Sequence, residues 1–390
     1  LHWKSRILHA TPSVPPGFRS FATPVYRGST ILFEKMADAH DEWHFERGWN
    51  YGLYGTPTAL ELAGRIAAFE GARHTFLTPG GQAAISLIYL SFCRAGSHVL
   101  LPDNAYGPNR KLAEGLLRDL GIEVERYDPL IGESIAALIR ENTALIWCES
   151  PGSVTMEIQD IPAIVAAAHE RGVPVALDNT YAAGVLFDAF AFNVDISMQA
   201  LTKYIGGHSD LLLGSVSVNT EVAYRAVGAT HQQIGMAVSP DDCSLALRGL
   251  QTLAIRLETL EASALSVARW LAGQPGIETV LHPALPSCPG HELWRRDFTG
   301  SSSIFSIVFE RRFSPAQVNG FVDSLKLFGI GWSWGGTHSL AMAYPELERP
   351  TGDYAGRIVR LNIGLEEPAD LIQDLSQALE RTSGQRPLSG

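Results

Sequence analysis

Short apolar runs recur along the chain from about residue 71, each separated from the next by a stretch with apolar positions at helical spacing. The runs 98–101, 144–148, 173–177 and 211–218 are short and read as apolar on both faces. Both faces of each are therefore expected to be covered, as in a sheet sandwiched between helices. Between them, 83–92, 109–120 and 161–171 read as helices, and the alternation predicts an α/β sandwich with a mainly parallel sheet. A longer helical stretch over 242–271, striped by Leu245, Leu247, Leu250, Leu253, Leu257 and Leu260, separates this region from the remainder. Beyond it, apolar runs at 303–309 and 357–363 and helices over 315–325 and 367–379 predict a smaller α+β unit. The first 55 residues are rich in Pro, Gly, Tyr and Arg with little periodicity, which predicts an arm lying across another surface. The expected division is an arm at 1–55, an α/β domain at 56–245 and a C-terminal α+β domain at 246–390.

Composition narrows the function classes. The 390 residues are 46% hydrophobic and 18% charged, as in an ordinary globular enzyme. A net charge of -11 with no basic block argues against nucleic acid or an anionic membrane as partner. Cys93, Cys148, Cys243 and Cys288 form no CxxC pair and no metal-ligand spacing with the twelve histidines. No run reaches the roughly 18 apolar residues of a membrane span, and Lys4, Arg6 and His9 interrupt the N-terminus, so a cytoplasmic location is expected.

The chemistry concentrates around Lys203. It lies in Ala-Leu-Thr-Lys-Tyr-Ile-Gly-Gly-His-Ser-Asp, 200–210, between the apolar stretches 194–201 and 211–218. A lysine that attacks a carbonyl must be partly neutral near pH 7, which takes burial or a neighbouring cation. Most lysines are solvated surface charges, but these flanks supply burial, the setting of a lysine that forms a Schiff base with pyridoxal phosphate. Asp178 ends the run Val-Pro-Val-Ala-Leu. At the carboxyl end of a parallel strand it either caps a turn or faces the ligand crevice, where it would keep a pyridinium nitrogen protonated. Thr-Pro-Gly-Gly-Gln-Ala-Ala-Ile, 78–85, turns directly into a helix. The N–H groups of Gly81 and Gln82 there either close a plain turn or hold a phosphate. Thr202 offers that phosphate a hydroxyl, and Tyr106 either stacks on a planar ring or fills the core.

These segments carry a family resemblance. Tyr51-Gly52 with Gly55-Thr56, Gly-Gln-Ala-Ala at 81–84, Tyr106, Glu-Ser-Pro-Gly-Ser-Val-Thr-Met-Glu at 149–157 and Asp-Asn-Thr-Tyr-Ala-Ala-Gly at 178–184 belong to it. So do Thr-Lys-Tyr at 202–204 with Gly-His-Ser-Asp at 207–210, Arg-Gly-Leu-Gln-Thr-Leu at 248–253, Ser-Trp-Gly-Gly at 333–336 and Arg-Leu-Asn-Ile-Gly-Leu at 360–365. Nearly the whole chain resembles the cysteine and methionine metabolism group of fold-type I pyridoxal-phosphate enzymes. The segments at 149–153 and 333–336 are most similar to its bacterial cystathionine β-lyase branch. The resemblance implies a transferase-like fold with a mainly parallel, seven-stranded sheet. It implies that Lys203 forms the Schiff base and acts as catalytic base, with Asp178 on the ring nitrogen and Tyr106 stacked on the ring and catalytic beside Lys203. Gly81, Gln82 and Thr202 would hold the phosphate, joined by Tyr51 from a neighbouring subunit. Arg360 would take the substrate carboxylate, with Ser333, Trp334, Asn179 and Ser153 nearby. A homotetramer built as a dimer of dimers is implied in turn.

The chain departs from that pattern at several positions. Leu53 stands where relatives carry an arginine, with Tyr54 beside it as a substitute hydrogen-bonding group, and Ala200 replaces a serine near the phosphate. Lys111 and His338 replace acidic residues expected near the far end of the substrate. The implied activity is carbon–sulfur β-cleavage of cystathionine or another cysteine S-conjugate to a thiol, pyruvate and ammonia. A γ-lyase or replacement enzyme on the same fold is the alternative prompted by Leu53, Lys111 and His338. A binding protein without turnover is disfavoured by the joint presence of Lys203, Asp178 and Arg360. A nicotinamide enzyme is disfavoured because no GxGxxG follows the first strand.

Overall fold

Seven strands build the larger sheet: β1 (His74–Thr78), β2 (His98–Pro102), β3 (Glu123–Tyr127), β4 (Thr143–Glu149), β5 (Val175–Asp178), β6 (Ile196–Gln199) and β7 (Gly214–Val218). Their spatial order is β1-β7-β6-β5-β4-β2-β3, and β7 alone runs against its neighbours. The computed structural model describes residues 2–9, 17, 20–44, 48–347, 354 and 356–384. Parts of the expected arm, 10–16, 18–19 and 45–47, lie outside the described residues. No helix among the described residues is long and apolar enough to cross a membrane.

The strand run at 144–148 shows why the sequence folds this way. Side chains alternate between the two faces of a strand. Leu145 and Trp147 join the core that includes helix Gly81–Phe92, while Ile146 and Cys148 join the core that includes helix Ile161–His169. With helices on both faces, an uninterrupted apolar run is the expected outcome. All four cysteines are free and buried.

A second sheet follows, with β8 (Ile277–Leu281), β9 (Ile304–Phe309), β10 (Gly329–Ile330), β11 (Leu340–Tyr344) and β12 (Ile358–Asn362) in the order β10-β11-β12-β9-β8. One face packs on helices Leu253–Ala272, Pro315–Asp323 and Pro368–Thr382. The other face meets the larger unit, where Ile304, Val308 and Ile358 bury Val154, Met156 and Tyr181. Hydroxyls stitch this seam: Ser306 Oγ donates to Val154 O at 2.5 Å, Ser302 N donates to the Tyr181 hydroxyl at 3.2 Å, and the Tyr204 and Ser303 hydroxyls lie 2.7 Å apart.

Three elements differ from the sequence expectation. The single helix expected over 242–271 is two, Pro240–Leu250 and Leu253–Ala272. Gly249 O accepts from Thr252 N at 3.1 Å and from Arg256 Nη2 at 2.7 Å, and Leu245 is exposed. The strand expected over 211–218 begins only at Gly214, because Leu213 N and O both bond the Thr202 hydroxyl at 3.1 Å. The helix expected over 109–120 starts at Gly107 and widens into a π-type turn at Ala113–Leu117.

Candidate active site

β4, β5 and β6 run parallel, with Glu149 beside Asp178 and Asp178 beside Met198, so their carboxyl ends share one edge of the sheet. Such an edge is where open α/β sheets place ligands. A cavity of about 470 Å³ lies there, closed on its far side by Ile304 and Arg360 of the second sheet. Its walls include Gly81, Gln82, Tyr106, Ser153, Asp178, Thr202, Lys203, Trp334 and Arg360. Nine of the twelve residues expected at the site are thus gathered in one place.

Lys203 occupies a tight turn after β6, closed by Gly206 N donating to Leu201 O at 2.8 Å and Gly207 N donating to Lys203 O at 2.7 Å. Its amine donates to Ser333 Oγ at 3.0 Å and sits 5.2 Å from the centre of the Trp334 ring. Ser333 therefore joins the site through Lys203. The segment bearing it passes so close that a Cβ on Gly335, whose φ is +81°, would lie 3.1 Å from Tyr204 N and 3.2 Å from Lys203 C. Burial, seconded by the charge of Arg360, lowers the Lys203 amine to about 8, against a pull upward from Asp178.

Asp178 is held by Thr180, whose backbone N–H donates to Oδ1 at 3.0 Å and whose hydroxyl donates at 2.5 Å. The same hydroxyl accepts from Ala200 N at 2.9 Å, tying the end of β5 to the Lys203 turn. Burial raises the Asp178 carboxyl, while the Thr180 bonds and the charge of Lys203 oppose that rise. Arg360, on β12, is buried; Nη2 donates to Trp332 O at 2.7 Å, and the guanidinium lies 5.6 Å from the centre of the Tyr344 ring. Burial lowers its pKa. Tyr106 is 41% exposed at the start of helix Gly107–Leu112, fixed by its N–H donating to Glu149 Oε2 at 2.7 Å. Burial raises its phenol, with Asp178 and Glu149 adding to the effect. Helix Gly81–Phe92 opens with no side-chain cap, which leaves N–H groups of its first turn without an intrahelical partner, and Gly80, Gly81, Gln82 and Ala83 line the cavity.

Two expected residues lie elsewhere in the chain. Asn179 Nδ2 donates to Phe187 O at 3.2 Å, and its side chain does not line the cavity. Tyr51 is 50% exposed on the arm, where it pairs with Thr30, and does not line the cavity of its own chain. The Thr202 hydroxyl is engaged by Leu213, and the Tyr54 hydroxyl accepts from Gln232 Nε2 at 2.9 Å. Leu53, Lys111 and His338 do not line the cavity either. Sequence reasoning passed over Thr180 and Glu149 as site residues. Their signal was available: both stand at or just beyond strand ends next to Asp178, where side chains reach the ligand edge.

The family model for Cys/Met metabolism PLP-dependent enzymes matches residues 4–380. The chain belongs to this family. A putative cystathionine β-lyase of Rhizobium johnstonii is 44% identical, over 92% of this chain and 91% of that protein. An L-alanine/L-glutamate racemase of Wolbachia pipientis is 40% identical, over 93% of each. Among solved structures, cystathionine γ-synthase from Xanthomonas oryzae pv. oryzae in complex with aminoacrylate and cysteine superposes with a TM-score of 0.90 at 27% identity, covering 98% of this chain and 99% of that one. Members of the family depend on pyridoxal phosphate, and the residues present fit it. They comprise an amine that burial lowers to about 8, a strand-end carboxylate hydrogen-bonded among the described residues to Thr180 alone, and an uncapped helix start at the cavity edge.

The lowered Lys203 amine has a measurable consequence. Only the neutral amine condenses with an aldehyde, and its fraction rises with pH through the pKa. Cofactor-free protein mixed with pyridoxal phosphate should develop the visible absorption band at a rate that climbs from pH 6 to 9 with a midpoint near 8. A midpoint near the ~10.4 of a solvated lysine would contradict the burial described for Lys203.

Proposed function

We propose that the protein is a carbon–sulfur β-lyase that cleaves cystathionine or another cysteine S-conjugate to a thiol, pyruvate and ammonia. The observation that carries this reading is the meeting of a base, a carboxylate-binding fork and a proton donor in one cavity, in a chain 44% identical to a putative cystathionine β-lyase. Lys203, Asp178 and the N–H groups of Gly81 and Gln82 would hold the cofactor, with Thr202 beside them and Tyr106 against the ring. Bound pyridoxal phosphate supplies the electron sink that makes a Cα–H bond acidic.

Each remaining act falls to a named side chain. The planar fork of Arg360 receives the substrate carboxylate, and its packing against Tyr344 and Trp332 O fixes its direction. Ser333 steadies the Lys203 amine. Lys203, neutral in part near pH 7, takes the Cα proton as general base. The Cβ–S bond then breaks with its electrons going to sulfur, which is protonated by Lys203 or by the Tyr106 hydroxyl. Burial keeps that phenol protonated and able to donate. Water completes the balance, giving thiol, pyruvate and ammonia from one thioether. Trp334 and Ser153, which line the same cavity, would stand at the substrate end.

Tyr51, outside its own chain's cavity and half exposed, is assigned to the cavity of a second subunit, in a dimer of dimers. Two inactive variants, Tyr51→Phe and Lys203→Ala, should regain activity when mixed subunits reassemble, because one cavity of each pair then carries both native residues. Mixed dimers that stay inactive would contradict sharing.

The reaction class is tested with cystathionine, S-alkyl cysteines and methionine, identifying the products. The expected keto acid is pyruvate, and Lys203→Ala should lower its formation by about 10²–10⁴. Formation of 2-oxobutyrate alone would replace the reading by γ-cleavage. Interconversion of L- and D-amino acids without keto acid would replace it by racemisation, the activity named for the Wolbachia relative.

A further inference from the structure

Arg256 is a buried cation with no acidic partner. It is 6% exposed, and burial alone lowers it, to about 10. No carboxylate among the described residues pairs with it. Its three bonds go to neutral oxygens: Nη1 donates to Tyr204 O at 2.7 Å, Nη2 to Gly249 O at 2.7 Å and Nε to the Thr252 hydroxyl at 3.0 Å. Burying a guanidinium without a counter-ion is costly, so these acceptors must justify its place.

The acceptors explain it. The turn over 201–207 closes with Gly206 N donating to Leu201 O and Gly207 N donating to Lys203 O, which leaves Tyr204 O and Ile205 O with no backbone donor among the described residues. Carbonyl ends of helical segments carry partial negative charge and are stabilised by cations. Arg256 meets Tyr204 O, one residue past Lys203, and the imidazole of His208 lies 2.7 Å from Gly206 O. The turn is wrapped around the guanidinium: a Cβ on Gly207 would lie 2.1 Å from Arg256 Nη1. The same guanidinium grips Gly249, whose own Cβ would lie 2.2 Å from Ile205 O. Arg256 rides on the first half of helix Leu253–Ala272, where Leu253, Leu257 and Leu260 pack with Leu201, Tyr204 and Ile205; the second half, from Ala264, packs on the second sheet, which carries Arg360. The fork therefore ties the turn bearing Lys203 to the near half of a helix whose far half supports the sheet bearing Arg360.

We propose that Arg256 is a positioning residue that holds the Lys203 turn against the C-terminal unit, keeping the lysine amine buried at a fixed point relative to Arg360. Without the fork the carbonyls of the turn seek water, the turn opens, and the amine becomes solvated. This assignment deepens the reading of the same site. Its test uses cofactor capture by Lys203, so it stands or falls independently of whether a thioether is the substrate.

The experiment compares Arg256→Lys and Arg256→Met with the unaltered protein. Each cofactor-free protein is mixed with pyridoxal phosphate across pH 6 to 10, following the visible band, with thermal unfolding recorded in parallel. A solvated amine regains a higher pKa, so a smaller fraction is neutral at pH 7. The expected result is a rate profile moved to higher pH in both variants. Capture at pH 7 should fall about tenfold for Arg256→Met, that is, one pK unit, and less for Arg256→Lys, which keeps one donor. Folded variants with the unaltered profile would overturn the proposal. Failure of both variants to fold would also overturn it, in favour of a purely structural arginine.

Discussion

The structure is organised around keeping one amine out of water at a fixed point. A lysine in solvent is charged near pH 7 and useless as a nucleophile or base, and a buried one is costly while it remains charged. Lys203 meets both conditions because two sheets close over it. The larger unit supplies the turn after β6, and the smaller supplies Ser333, Trp334 and Arg360. The seam between them is rich in hydroxyls, and the bonds of Ser302, Ser303 and Ser306 to Tyr181, Tyr204 and Val154 O satisfy polar groups that burial would otherwise strand.

Charge placement follows from the same constraint. Arg360 and Asp178 act on Lys203 in opposite directions, and burial exceeds both. Arg360 itself is buried with a carbonyl and a tyrosine face for company and no described carboxylate, which leaves its charge available to an incoming anion. Asp178 is buried with only Thr180 hydrogen-bonded to it among the described residues, which leaves its charge available to an incoming cation. On the proposed reading, a flat cofactor with a basic ring nitrogen and an amino acid with a carboxylate would complement these two charges.

Much of this was legible in the chain because the strands of the larger sheet are buried on both faces and so read as continuous apolar runs. Lys203 and Asp178 were legible for the same reason: a charged residue at the edge of such a run is conspicuous. β1 and β3 were not, since His-Thr-Phe-Leu-Thr and Glu-Val-Glu-Arg-Tyr are the mixed sequences of edge strands in this sheet. The break between Leu250 and Leu253 was also invisible: there Gln251 N and Thr252 N close short bonds to Arg248 O and Gly249 O, and Arg256 bonds Gly249 O as well, within a stretch whose leucine stripe runs on uninterrupted. Asn179 adjoins Asp178 in sequence, yet strand alternation turns its side chain away to Phe187 O. The departures at Leu53, Lys111 and His338 were plain in sequence, but their places outside the cavity of their own chain required the structure.

The central claim is that Lys203 is the residue to which the cofactor is joined. Borohydride reduction of the protein loaded with pyridoxal phosphate, followed by peptide mass mapping, tests this without reference to any substrate. The account predicts a single pyridoxyl mass increment on the peptide containing Lys203. An increment carried by another lysine, with the Lys203 peptide unmodified, would contradict it.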